Sequence, residues 1–434
     1  MRILFTNTSL AHRTGSELYV LEVARALLAR GHQPLAWSPV LGDLAAELRT
    51  AGIPVSDDLA ALAATGPPDL IHGQHHLETM TALLHFPKVP GIFVCHGALP
   101  WEESPPRFPR LRRYVAVDEA TRERLTAEGG IPPERISTLW NFVDLARFHP
   151  RPPLPRRPGR ALAFSNNASE ATFLPAVQAA CDQAGLALDV AGIASGQPCP
   201  RPEELLPAYD LVFAKARAAL EALAVGCAVV LCDAAGCGPL VTSADFDRLR
   251  PQNFGFRTLT EPVRPAALLA QIERYDPEDA ARVRDRIRAE AGLDAAIDRL
   301  VEVYAQALAA PAPEEADPEA EGRAVAAYLR WLNPYLKERG DLLIDRNTLW
   351  QRVDRQTAEL AAAQEEREQL QARLTAAQAE AGGKAKAEEE AAALRAELAA
   401  LQGTTTWRLY QRFTARPALR RLYRWFFRRA GADS

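Results

Sequence analysis

The chain has 434 residues, too many for one ordinary core, so two folded units plus extensions are expected. Hydrophobic residues make up 48% and charged residues 24%, a globular balance that excludes a disordered chain, and no apolar run is long enough for a membrane-spanning helix. The formal net charge of −4 is too small to specify a partner, and its distribution along the chain says more.

Six cysteines are scattered (Cys95, Cys181, Cys199, Cys227, Cys232, Cys237), without the paired spacing of a zinc or redox motif, so reduced thiols are expected. The opening Met-Arg-Ile-Leu-Phe reads directly as a strand rather than a leader, which predicts a cytoplasmic protein, peripheral to the inner membrane. Short apolar runs at 2–6, 34–37, 69–72, 92–95, 114–117 and 136–139 alternate with amphipathic stretches, the signature of a parallel α/β sheet. The clearest helix spans 17–30, where Leu18, Leu21, Val23, Ala24 and Leu27 recur at helical spacing and Gly31 stops it. A Pro- and Arg-rich connector, 150–160, leads to a second alternation with strands at 161–164, 187–191, 210–213 and 228–231, so two Rossmann-like lobes are expected. A helix over 294–308 closes the second lobe, and an acidic, proline-bearing linker follows.

Residues 341–402 are rich in Ala, Glu, Gln, Leu and Arg. Leu349, Val353, Gln356, Leu360, Ala363, Arg367, Leu370, Leu374 and Ala377 fall at alternating steps of four and three, a heptad seam that Gly382 and Gly383 interrupt. A homotypic coiled coil is favoured over a lone solvated helix. From Trp407 to Arg429 there are eight arginines and no acid, interleaved with aromatic rings. Trp407, Arg408, Arg412, Arg420, Arg424 and Trp425 therefore suit an anionic membrane interface first, a protein partner second and single-stranded nucleic acid last. The boundaries are a first lobe at 1–150, a second at 151–310, a linker with a short helix at 311–340, a coiled coil at 341–402 and a basic aromatic tail at 403–434.

After the first strand, Gly15 and Ser16 open a helix whose amino end favours a ligand anion; an ordinary Ser cap is the alternative. Gly15-Ser-Glu-Leu-Tyr-Val-Leu-Glu through Arg30-Gly-His32 resembles the opening of the retaining family-four glycosyltransferases. Asp69-Leu-Ile-His72, Val94-Cys-His-Gly97, Val115-Ala-Val-Asp-Glu-Ala, and Trp140 through Phe148 are similar to later segments of that family. In the second lobe, Leu220-Glu-Ala-Leu-Ala-Val-Gly-Cys-Ala-Val-Val230 resembles its donor-site helix and strand, and Asp233 to Gly238 its next turn.

The resemblance implies a GT-B fold of two Rossmann-like lobes, with the acceptor on the first and a nucleoside diphosphate sugar on the second. Gly15, Ser16, Glu221, Gly236 and Gly238 would then bind the donor, Glu221 through its ribose hydroxyls. His96 would contact the donor sugar or orient the acceptor. The family's second glutamate is replaced by Phe213, and its Arg and Lys after the first strand of this lobe by Ser165-Asn-Asn-Ala-Ser-Glu170. Lys215 and Arg217 are the cations left to neutralise a leaving diphosphate. His72, His75 and His76 have a metal-like spacing, but no carboxylate or cysteine partner is evident and the resemblance implies neither metal nor cofactor. Thr405-Thr-Trp-Arg408 is similar to the end of the coiled coil that many such bacterial enzymes carry. The expected activity is hexosyl transfer to a bacterial surface glycan or its lipid-linked precursor, with retention; a glycosyltransferase-like scaffold that has lost turnover is the second reading, and another GT-B chemistry such as nucleotide-sugar epimerisation, against which the tail argues, is the third.

Overall fold

The computed structural model describes residues 1–310, 318–380, 386–404 and 407–408. They divide into a unit from Met1 to Tyr328 and a second from Leu329 onwards.

The first sheet holds β1 (Arg2–Thr6), β2 (Gln33–Trp37), β3 (Val55–Ser56), β4 (Leu70–Gly73), β5 (Gly91–Cys95), β6 (Leu111–Ala116) and β7 (Ile136–Thr138), all parallel, in the order β3-β2-β1-β4-β5-β6-β7. Its helices are α1 (Gly15–Ala29), α2 (Asp43–Thr50), α3 (Leu59–Ala63), α4 (His76–His85) and α5 (Glu119–Ala127). Helices cover both faces, so Ile3, Leu4 and Phe5 of β1 are all buried rather than alternately exposed. The second sheet is formed by β8 (Arg160–Phe164), β9 (Ala187–Ala191), β10 (Leu211–Ala214), β11 (Ala228–Asp233) and β12 (Gly236–Leu240), in the order β12-β11-β10-β8-β9. Only β12 runs antiparallel. Its helices are α6 (Leu174–Ala184), α7 (Pro202–Leu205), α8 (Ala216–Val225), α9 (Phe246–Leu249), α10 (Pro265–Ile272) and α11 (Pro277–Glu290). Gly185 and Gly226 adopt left-handed conformations that end α6 and α8 (φ 69° and 100°).

Both sheets reverse their winding once: between β1 and β4 in the first, between β8 and β10 in the second. Crevices for ligands open at the carboxyl ends of strands at such switch points.

Three expected boundaries change. The helix read as closing the second lobe, α12 (Leu293–Ala309), returns to the first: Ile297, Leu300, Val303 and Tyr304 are buried in one cluster with Ile3, Phe5, Val23 and Leu27. Arg30 Nη2 ties its amino end at 2.8 Å to Asp294. The globular unit also extends beyond the expected linker, of which 311–317 lie outside the described residues. The start of α13 (Pro318–Glu380) packs on the first lobe, where Arg110 Nε meets Glu321 Oε1 at 2.6 Å and Tyr328 reaches His76 Nδ1 at 2.6 Å. The short helix and the coiled-coil segment are therefore one 63-residue helix.

In the second unit, α14 (Lys386–Gln402) packs on α13 of the same chain: Leu370, Leu374, Ala391 and Leu394 form one buried cluster. That end of the heptad seam is satisfied within the chain, whereas Leu349 and Val353 are 56% and 43% exposed. Trp407, expected at a membrane or partner, is buried beneath the Arg367 guanidinium, 5.1 Å from the ring centre, and Arg408 donates to Gly403 O. Arg412, Arg420, Arg424 and Trp425 lie outside the described residues. No described helix is long and apolar enough to cross a membrane.

Candidate active site

A cavity of about 440 Å³ opens between the lobes. Asn7, Thr8 and Ser9 after β1, and His75 after β4, place it at the switch point of the first sheet. Gly15, Ser16, Glu17 and Tyr19 of α1, and His96 and Gly97 after β5, complete the first-lobe wall. Ala216 and Arg217, in the first turn of α8, face them from the second lobe. His96, Arg217, Gly15 and Ser16 are thus brought together; Lys215, Glu221, Gly236 and Gly238 do not line this cavity.

Arg217 is not a free cation. It pairs with Glu22 of α1 across the lobe boundary and, 2.8 Å from Nε, with Glu221 one turn along α8. Arg147 reaches Glu22 at 3.3 Å and Glu203 at 2.9 Å, extending the network. Burial opposes the charge on Arg217, but the two glutamates more than offset it and hold its pKa above the ordinary value. Glu221 is pushed up by burial, a rise that Arg217 partly offsets. Its carboxylate is therefore committed to a salt bridge rather than standing open as a ribose acceptor.

Lys215 caps α8, and its Nζ lies 2.6 Å from Asp233 Oδ2. Ser165 Oγ donates to Asp233 Oδ1 at 2.8 Å, and Asn167 Nδ2 to Oδ2 at 3.2 Å. Ser165 and Asn167 follow β8, Lys215 follows β10 and Asp233 ends β11, all at the switch point of the second sheet. Burial alone would raise Asp233, but Lys215 and Ser165 hold its carboxyl below the usual range. The segment where the resemblance lacks Arg and Lys is therefore tied to Lys215 through one aspartate.

Gly236 and Gly238, expected in a donor-binding turn, lie in β12. A Cβ on Gly238 would sit 2.2 Å from Thr258 O, and one on Gly236 2.8 Å from Glu261 O. The packing of the 258–261 segment against β12 accounts for both glycines. Phe213 is fully buried between β8 and β11 in the second lobe's core.

The three histidines point to different partners. His72 Nδ1 meets Tyr304 OH at 2.6 Å, His75 Nδ1 accepts from Thr8 N at 3.1 Å, and His76 meets Tyr328. Among the described residues no His, Cys, Asp and Glu cluster could hold a metal ion. The bond from Thr8 places the His75 proton on Nε2, facing Glu103 Oε1 at 3.5 Å, while Glu103 Oε2 accepts from His96 N at 2.8 Å. Burial pushes His75 down to about 4 and His96 to about 3, so both rings are neutral near pH 7.

Burial pushes Glu103 from 4.5 up to about 8, against the pull of the His96 amide and Arg124. Between those values the folded chain keeps a proton that the unfolded chain releases, so stability falls as pH rises through this window; below it Glu103 has no effect, and above it the full loss persists. Glu103→Gln should raise the melting temperature at pH 8.5 by roughly 5 °C while leaving it near wild type at pH 4.5. Thermal melts across pH check this, and parallel curves for the two proteins would contradict it.

Residues 13–147 match the family model of Glycosyltransferase Family 4. No curated protein matches the sequence. Among solved structures, a glycosyltransferase from Rickettsia africae aligns with 71% of this chain and 99% of its own, at 16% identity and a TM-score of 0.54. Anabaena HepE, in complex with UDP and glucose, aligns with 70% of this chain and 99% of its own, at 16% identity and 0.54. Sucrose-phosphate synthase from Thermosynechococcus elongatus gives 71% and 100%, at 14% identity and 0.52. The fold is GT-B. The family match falls on the first lobe; the structural likeness reaches both lobes of the GT-B unit.

Several site residues were not singled out from the sequence: Asn7, Glu17, Tyr19, Glu22 and Glu103 in the first lobe, and Ser165, Asn167 and Asp233 as a set in the second. Asn7, Ser165 and Asp233 stand at the carboxyl ends of predicted strands, which is the signal that could have found them.

Proposed function

We propose that the chain transfers a sugar from a nucleoside diphosphate sugar to a glycan or glycolipid acceptor. One observation carries the reading: the first turn of α8, at the switch point of the second sheet, lines the same cavity as the strand ends of the first. A donor held on the second lobe would place its sugar against His96 and the first-lobe wall. Its diphosphate would meet the amino end of α8, where Lys215 and Arg217 stand. There the diphosphate replaces Glu22 and Asp233 as counterion, and the same cations neutralise the leaving group as the glycosidic bond breaks. Glu221 serves the ribose once Arg217 turns to the diphosphate. Retention, a hexose donor and a bacterial surface glycan or its precursor as acceptor follow from the resemblance of Gly15–His32 and 220–230. The reading invokes no cofactor.

A second reading is a non-catalytic scaffold of the same fold. The observation in its favour is that both candidate cations are already neutralised, with Phe213 where the resemblance expects a glutamate. Calorimetric titration with UDP, GDP and their sugar conjugates tests donor binding. Saturable micromolar binding to one nucleotide series, weakened at least about tenfold by Lys215→Ala, is expected, and no binding to any of them would leave the scaffold.

The arginine-rich tail is proposed to hold the protein at an anionic membrane surface, while the helical segment offers the exposed Leu349 and Val353 to a second copy. Deleting 404–434 should release the protein from anionic vesicles without changing nucleotide affinity. Equal pelleting of the truncated and full chains would contradict the membrane role.

A further inference from the structure

Four polar atoms on the cavity wall are buried and have no hydrogen-bond partner among the described residues: Asn7 Nδ2, Glu17 Oε2, Tyr19 OH and His96 Nε2. Asn7, Glu17 and Tyr19 are 1%, 4% and 4% exposed. They come from the end of β1, the first turns of α1 and the end of β5, so no single local irregularity explains them. Leaving such groups unpaired costs about 1–3 kcal/mol each, which a ligand able to satisfy them recovers. Tyr19 is held in place by ring contacts with His72, His96 and Phe142, with centroids 4.6–5.7 Å apart.

We propose that this wall binds an uncharged, hydroxyl-bearing sugar ring and rejects anionic sugars. Calling that ring the acceptor rests on the transferase reading above; the site itself does not. Asn7 Nδ2 can only donate, the Glu17 carboxylate accepts, and the Tyr19 hydroxyl does either. Sugar hydroxyls donate and accept at once and so satisfy this mixed set. A carboxylate or phosphate set against this wall only accepts, so it cannot pair with Glu17, and it brings like charge beside Glu17 and Glu102, both on the lining. No first-lobe cation among the lining residues offsets that charge, and with no diphosphate bound Arg217 opposite is held by Glu22 and Glu221. A volume of about 440 Å³ lies within the ~300–1,000 Å³ of small-molecule sites.

The test is saturation-transfer NMR titration of the full chain with four methyl hexosides (glucoside, galactoside, mannoside and N-acetylglucosaminide), methyl glucuronide and glucose 6-phosphate. At least one neutral glycoside should bind at least about tenfold more tightly than either anion, and Tyr19→Phe, which removes a single oxygen, should weaken it about tenfold. Glu17→Gln should narrow the gap between neutral and anionic sugars. Thermal melts establish that each variant is folded, and Asn7→Ala gives an independent reading should one of them fail. Anions binding as well as the neutral glycosides, no binding by any neutral glycoside, or an unchanged affinity in Tyr19→Phe would each overturn the proposal. Nucleotide titration of the same sample separates the two readings: sugar binding without nucleotide binding retires the transferase and keeps the site, and the converse retires the site alone.

Discussion

Arg217→Ala is expected to lower the stability of the GT-B unit by about 3–5 kcal/mol and to abolish nucleotide binding. Glu22 and Glu221 have side chains 5% and 6% exposed, and Arg217 is shared between them. Removing Arg217 leaves buried Glu221 without its ion-pair partner and Glu22 with Arg147 at 3.3 Å, which is where the large cost arises. Because Glu22 belongs to α1 and Glu221 to α8, the loss also loosens the joint between lobes, bringing the unfolding transitions of the two lobes apart. Arg217→Lys keeps the charge without the fork that reaches both acids, so it should fall between wild type and Ala. Denaturant unfolding measures this, and a loss below about 1 kcal/mol with intact nucleotide binding would contradict the role.

Gly238→Ala should cost about 3 kcal/mol or more while leaving the nucleotide affinity of the folded fraction unchanged. The added Cβ would meet the backbone oxygen of Thr258 at 2.2 Å, and a backbone atom cannot swing away as a side chain can. Relieving the contact means moving β12 off β11 or breaking the paired segment that binds Cys237 N to Glu261 O at 2.8 Å. A variant that melts like wild type but binds nucleotide more weakly would restore the donor-binding role that the resemblance assigned to Gly238.

The parallel strands were legible because burial on both faces makes each a short, unbroken apolar run, as in Ile3-Leu4-Phe5 or Val229-Val230-Leu231. β12 was not, since Gly236-Cys-Gly-Pro-Leu240 carries the residues of a turn, and β3 is only two residues long. The amphipathic period of α12 showed that one face is buried but not which lobe covers it, so the chain's return to the first sheet was invisible. Pro318 read as part of a linker, although proline is tolerated in the first turn of a helix and here begins α13.

At the site, Gly15, Ser16 and His96 could be found because they follow strands one and five of the first sheet. Lys215 and Arg217 could be singled out as cations, but their counterions could not. Glu221 is one helical turn from Arg217 and within reach of sequence reasoning; Glu22, 195 positions away, is joined to it only by the fold. The unpartnered atoms of Asn7, Glu17 and Tyr19 are likewise properties of packing, which no spacing reveals.

Turnover is the most direct test of the central claim. The full chain is incubated with each nucleotide sugar that it binds, together with a panel of neutral glycoside acceptors, and products are followed by mass spectrometry. The account predicts a glycoside one sugar heavier, with equimolar release of nucleoside diphosphate, lost in Lys215→Ala. A donor that binds at the cleft but is recovered unchanged, with no hydrolysis and no extended acceptor, would contradict it and leave a GT-B protein that holds a nucleotide sugar without transferring it.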